Sequence, residues 1–107
     1  MSSFNEREQS IEAKFAHDEN LRFKATARRN KLLGQWAAGL LGLDATAAGD
    51  LVTRIIRADF EEQGDEDVFR FLRAEFDKHQ IEQSDHQIRR TMDELLVEAV
   101  DQVQAGI

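Results

Sequence analysis

The chain has no cysteine and no proline, and only six glycines among 107 residues. Without cysteine there is no disulfide, no thiol nucleophile and no thiolate metal site, and the composition fits a reducing compartment. Without proline, and with so little glycine, the turn punctuation of a strand-rich fold is missing, whereas helices joined by short connections need little of it. No run approaches the roughly 18 apolar residues of a membrane-spanning helix. The opening Met1-Ser-Ser-Phe-Asn-Glu-Arg-Glu8 lacks the apolar stretch of a signal peptide. A soluble, cytoplasmic protein without direct membrane insertion is expected.

What is present suffices for one domain. Apolar residues make up 41% of the chain, enough for a single hydrophobic core at this length. The net charge is −7, unevenly spread. Residues 1–20 carry two basic and five acidic side chains, and residues 44–107 carry seven basic and sixteen acidic. Between them, Arg22, Lys24, Arg28, Arg29 and Lys31 stand with no acid from 21 to 43. A phosphate backbone would meet mostly repulsion from such a chain, so no nucleic-acid partner is expected. The basic stretch reads as an exposed helix face paired with acids of neighbouring helices. The alternative is a small nucleotide- or nucleic-acid-binding regulator that uses residues 22–31.

Helical spacing runs through the whole chain. Ser3-Phe-Asn-Glu6 fits a capping box, and Phe4, Ile11 and Phe15 follow at i, i+7 and i+11, a narrow seam on a polar helix. Three apolar residues cannot offset the ordering of some 17 residues, so this segment is expected to be mobile or marginally helical alone. Nothing strictly separates it from the next pattern. That pattern starts at an Asp18 cap and runs to about Leu41, with Leu21, Ala25, Leu32, Leu33, Trp36, Ala37 and Leu40 on its apolar stripe. Gly34 and Gly39 inside it imply close approach of a neighbouring helix, and Gly42 is the natural stop.

Three further patterns complete the domain. Asp44 caps a helix to about residue 63, with Ala47, Ala48, Leu51, Val52, Ile55, Ile56 and Phe60 inward and Gly64 at its end. Asp65 caps the next, over 65–79, with Val68, Phe69, Leu72 and Phe76 buried. Ser84-Asp-His-Gln87 is a second capping box. It opens a helix over 84–104 whose stripe is Ile88, Met92, Leu95, Leu96, Ala99 and Val103. The fold class is therefore all-α: a four-helix bundle over 18–107, preceded by a mobile, helix-prone segment over 1–17.

Catalytic constellations are missing. His17, His79 and His86 show no ligand spacing, so no metal site is assigned. Gly34-Gln-Trp-Ala-Ala-Gly39 lacks the lysine and hydroxyl of a phosphate loop, and no cofactor is expected. The acids of Asp59-Phe-Glu-Glu-Gln-Gly-Asp-Glu-Asp67 read as solvated, and they do not fit a calcium loop. The chain reads as an interaction protein, not an enzyme.

Three stretches together resemble one family. They are Glu12-Ala-Lys-Phe-Ala-His-Asp-Glu19, continuing through Phe23-Lys24 to Ala27-Arg-Arg-Asn-Lys-Leu-Leu-Gly-Gln-Trp-Ala-Ala38; Ala58-Asp-Phe-Glu-Glu-Gln-Gly-Asp-Glu-Asp-Val68; and Ser84-Asp-His-Gln-Ile-Arg-Arg-Thr-Met-Asp-Glu-Leu-Leu96. In that order they resemble the zeta subunit of alpha-proteobacterial ATP synthases, an inhibitor of ATP hydrolysis. Asn20, where an acid is expected, and Thr91, where lysine is common, are minor departures. The resemblance implies a bundle carrying an inhibitory N-terminal segment, residues 1 to about 19, that inserts at a catalytic αβ interface and blocks rotation. The implied partners are the catalytic α and β subunits and the central stalk, with the protein peripherally associated with the inner-membrane synthase. The seam itself nominates Phe4, Ile11 and Phe15 with Lys14 as contacts, and Arg7, Glu8, Glu12 and Asp18 complete the expected partner-binding set.

Overall fold

The computed structural model describes residues 3–61 and 64–107, without the side chains of residues 3–5 and 8. Five α-helices occupy it: α1 (Ser3–His17), α2 (Glu19–Leu41), α3 (Ala45–Asp59), α4 (Glu66–Lys78) and α5 (Asp85–Ala105). No strand occurs among the described residues. The all-α class and the bundle are as the spacing implies. The expected capping box at Ser3 and Glu6 lies outside the described side chains.

Each helix boundary has a local cause. The Asp18 carboxylate accepts the Leu21 N–H at 3.0 Å, and Asp44 accepts that of Ala47 at 2.8 Å, so both satisfy a donor that the first turn leaves free. The Ser84 capping box is complete, with Ser84 Oγ accepting from Gln87 N and Gln87 Oε1 accepting from Ser84 N. Gly42 and Gly106 stop α2 and α5 in the left-handed conformation, φ 69° and 75°. The end of α4 carries no glycine signal. There Gln80 takes φ 58°, and Ile81 N donates back to the Phe76 carbonyl.

The bundle closes as α2 packs on α3 and α5, and α4 bridges α3 and α5. Its main core joins Leu33, Leu51, Ile55, Leu72, Phe76 and Ile88, with Trp36 set edge-on to Phe76 at 5.5 Å and 88°. Gly34 permits the α2–α3 approach, since a Cβ there would clash with the Val52 side chain and lie 3.1 Å from Val52 Cα. Gly39 has no such role: its added Cβ meets open space. Three inward assignments fail as well. Phe60 is 78% exposed, because α3 ends at Asp59 and Phe60 is its C-cap, beyond the last helical turn, while Ile56 within α3 and Leu40 near the end of α2 lie on the surface.

A second, smaller core draws on the N-terminal half of α2 and the C-terminal half of α5. Ile11 of α1 is buried there with Ala25, Val97 and Val100, and Phe15 and Leu96 pack against them. The N-terminal segment is thus a helix laid on the bundle.

Candidate functional site

The eight nominated positions can be followed along α1. Its apolar seam turns inward, because Ile11 and Phe15 share one helix face and meet the α2–α5 groove. Ile11 retains 6% exposure, and burying it contributes about 2 kcal/mol. At the rim, Arg7 forms an ion pair with Asp101, its guanidinium donating to Asp101 Oδ2. Both partners are more than half exposed, so the pair contributes only about 0–1 kcal/mol. Lys14 Nζ donates to Gln104 Oε1 at 3.4 Å, while Glu12 faces solvent. Asp18 spends its carboxylate on the α2 cap. The side chains of Phe4 and Glu8 lie outside the described residues.

The structure therefore brings Arg7, Ile11, Lys14 and Phe15 together on one surface of the bundle. Spacing alone left the receiving side unassigned. Val97 and Val100 lie off the Ile88-to-Val103 stripe and form a second apolar face on α5, three residues apart. That second spacing was the available signal.

The basic stretch of α2 does not form one exposed face. Arg29 is 1% exposed, donating from Nε to Asn30 Oδ1 at 2.9 Å and from Nη2 to Asp65 Oδ1 at 3.2 Å, with Asp59 at 3.9 Å. Asn30 in turn donates to Asp59 at 2.9 Å. This corrects two expectations. Arg29 sits inside, and Asp65 makes no side-chain cap of α4 because its carboxylate answers Arg29. Arg28 is tied to Gln102 and to the Ile107 carbonyl at 2.8 and 2.6 Å. Arg22, Lys24 and Lys31 are left on the surface, too few for a phosphate-tracking stripe. Beside them an open groove of about 550 Å³ is walled by Phe15, Phe23, Ile56 and Phe60, with Arg22 also lining it.

Elsewhere the ionic pattern ties helices together. Glu66 accepts from both terminal nitrogens of Arg89 at 2.9 and 3.2 Å, and that hydrogen bonding lowers its carboxyl below the ordinary 4.5. The Arg89 guanidinium also lies 3.8 Å over the Phe69 ring. Among the described residues no three His, Asp or Glu side chains gather as a metal site would require, and no helix is long and apolar enough to cross a membrane.

The model of the ATPase inhibitor subunit zeta family matches residues 1–102. The chain belongs to that family. A protein solved by solution NMR superposes with a TM-score of 0.72 at 34% identity, over 82% of this chain and 100% of that one. No curated protein matches. Family membership supports a role as an ATPase inhibitor, a regulatory protein that acts on the ATP synthase. In this zeta-family chain the bundle of α2–α5 carries a separate helix attached through a single non-helical residue, Asp18.

Proposed function

We propose that the chain inhibits ATP hydrolysis by the F-type ATP synthase by docking its N-terminal segment, residues 1 to about 19, at a catalytic αβ interface. The observation that carries this reading is the construction of α1. It is a polar helix with one short apolar seam, held among its described side chains by buried Ile11, half-buried Phe15 and exposed polar contacts, and joined to the bundle at Asp18. A helix so weakly held can exchange one groove for another, and an apolar seam with charged rims is what a helix-in-groove site accepts. Ile11 and Phe15, with Phe4 ahead of them, supply the seam. Arg7, Glu8, Glu12 and Lys14 set register at the rim, and Asp18 ends the segment.

In this reading the α and β subunits form the groove, and the central stalk is a further contact for the inserted segment. Binding one rotational conformation of the interface more tightly than the others is enough to stop turnover, since a ligand shifts an equilibrium by its differential affinity. The bundle acts as anchor and carrier, and no bond is made or broken by this chain.

Deleting residues 1–19 tests the assignment. The shortened chain is expected to lose inhibition of ATP hydrolysis by the isolated catalytic head while keeping the helical circular dichroism of α2–α5. Undiminished inhibition would place the inhibitory surface on the bundle and overturn the reading.

A further inference from the structure

The seam assigned to the partner already has an occupant. Ile11 is buried against Ala25, Val97 and Val100, Phe15 packs on the same cluster, Arg7 pairs with Asp101, and Lys14 donates to Gln104. One stripe of side chains cannot lie on its own bundle and in a partner's groove at once. The opposite face of α1 offers little in its place: Glu6, Gln9, Ser10, Glu12, Ala13 and Ala16 are exposed, and all are polar or small. A groove that received that face would bury almost no apolar surface.

We propose that α1 is a self-docked latch, in which the α2–α5 face competes with the partner for the Ile11–Phe15 seam and only the released helix inhibits. This rests on the reading of α1 as the docking segment. Asp18 supplies the pivot. Its φ of −142° and ψ of 90° break the helix at one residue, while Asp18 N still donates to the Lys14 carbonyl and Arg22 N to the Asp18 carbonyl. Both helices therefore reach the pivot intact, and α1 swings as a unit. The apparent affinity for the synthase is then the intrinsic affinity scaled by the released fraction. The hold is light, because among the described side chains of α1 only Ile11 is buried and the ion pair is exposed to solvent. Whatever loosens the α5 side strengthens inhibition without touching a docking residue.

Asp101 is the place to test this, because it lies on α5, outside the docking segment, and its side chain is 61% exposed. Asp101→Arg sets two cations against each other across the rim, and Asp101→Ala removes the pair alone. In the whole chain, α1 amides of Asp101→Arg should exchange hydrogen several-fold faster while those of the α2–α5 core are unchanged. The half-inhibitory concentration against ATP hydrolysis should fall about two- to fivefold, the range an exposed ion pair supports, with a smaller fall for Asp101→Ala. Unchanged exchange in Asp101→Arg, or faster exchange with unchanged or weaker inhibition, overturns the latch. The chain lacking residues 1–19, assayed beside them, separates the two ideas. If it still inhibits, the docking assignment has failed. If it is inert and Asp101→Arg gains nothing, the latch alone has failed.

Discussion

Gly34 and Arg29 are the two positions where single atoms decide how α2 meets its neighbours. At Gly34 an added methyl would press on the Val52 side chain and approach the Val52 backbone. Gly34→Ala is therefore expected to cost about 1–3 kcal/mol, the usual range for overpacking. At Gly39, where the same methyl meets open space, alanine should stabilise by about 0.5–1 kcal/mol through helix propensity. Urea midpoints of the two variants should move in opposite directions, and a common direction would remove close approach as the reason for Gly34. Arg29 holds Asp59, Asp65 and Asn30 in one network, so Arg29→Ala leaves two acids facing each other over a void. Because Asp65 is half exposed and can rehydrate, the expected loss is about 3 kcal/mol, the low end for breaking a buried pair. A thermal midpoint within a degree or two of the parent would show the network to be dispensable.

At the scale of elements, α4 and α5 are fastened at opposite ends of their contact. Arg73 donates to Asp77 at 2.7 Å, to Asp85 at 3.0 Å and to the Gln83 carbonyl at 2.6 Å, which ties down the connection between the two helices. Its hydrogen bonds to the Asp77 and Asp85 carboxylates keep the guanidinium more firmly protonated than an ordinary arginine. At the other end, the Arg89 hydrogen bond lowers the Glu66 carboxyl, so the folded chain binds that proton less readily than the unfolded chain. The contribution of the pair is complete well above pH 4.5 and is lost as pH falls through the lowered folded value. Glu66→Gln should thus be less stable than the parent at pH 7, and the gap should close near pH 2. Urea titrations at the two pH values read this directly, and a gap that persists in acid would assign the effect to packing. Helix ends divide by mechanism at this scale. Asp18, Asp44, Ser84, Gly42 and Gly106 act on neighbours within the same turn and were legible as caps and stops. Asp65 was misread because a distant residue, Arg29, claims its carboxylate, and Gln80 gave no signal because a non-glycine takes a left-handed turn there.

The whole molecule, 39 × 30 × 25 Å, is a bundle with two cores of unequal size that both draw on α2 and α5. Among the described side chains of α1, none joins the larger core, and Ile11 and Phe15 join the smaller one. A chain lacking residues 1–17 should still unfold cooperatively, with stability lower by about 2 kcal/mol, the burial of Ile11. Loss of a cooperative transition in calorimetry would make α1 an integral helix of the bundle and would weaken its reading as a carried segment.

Helix class, helix order, most caps, the greater part of the main core and the narrow seam of α1 were determined by the sequence itself. Each rests on spacing within one helix or on a hydrogen bond across one turn, so local residue order suffices to specify it. The family resemblance was legible for the same reason, as contiguous motifs in order. Tertiary structure decided the rest: which side of α5 receives Ile11, that Arg29 is internal, that Phe60 and Ile56 face outward, and that Gly34 is a contact where Gly39 is not. Those outcomes depend on which helix lies opposite, and a helix with two apolar stripes, as in α5, leaves that choice open until its neighbours are in place.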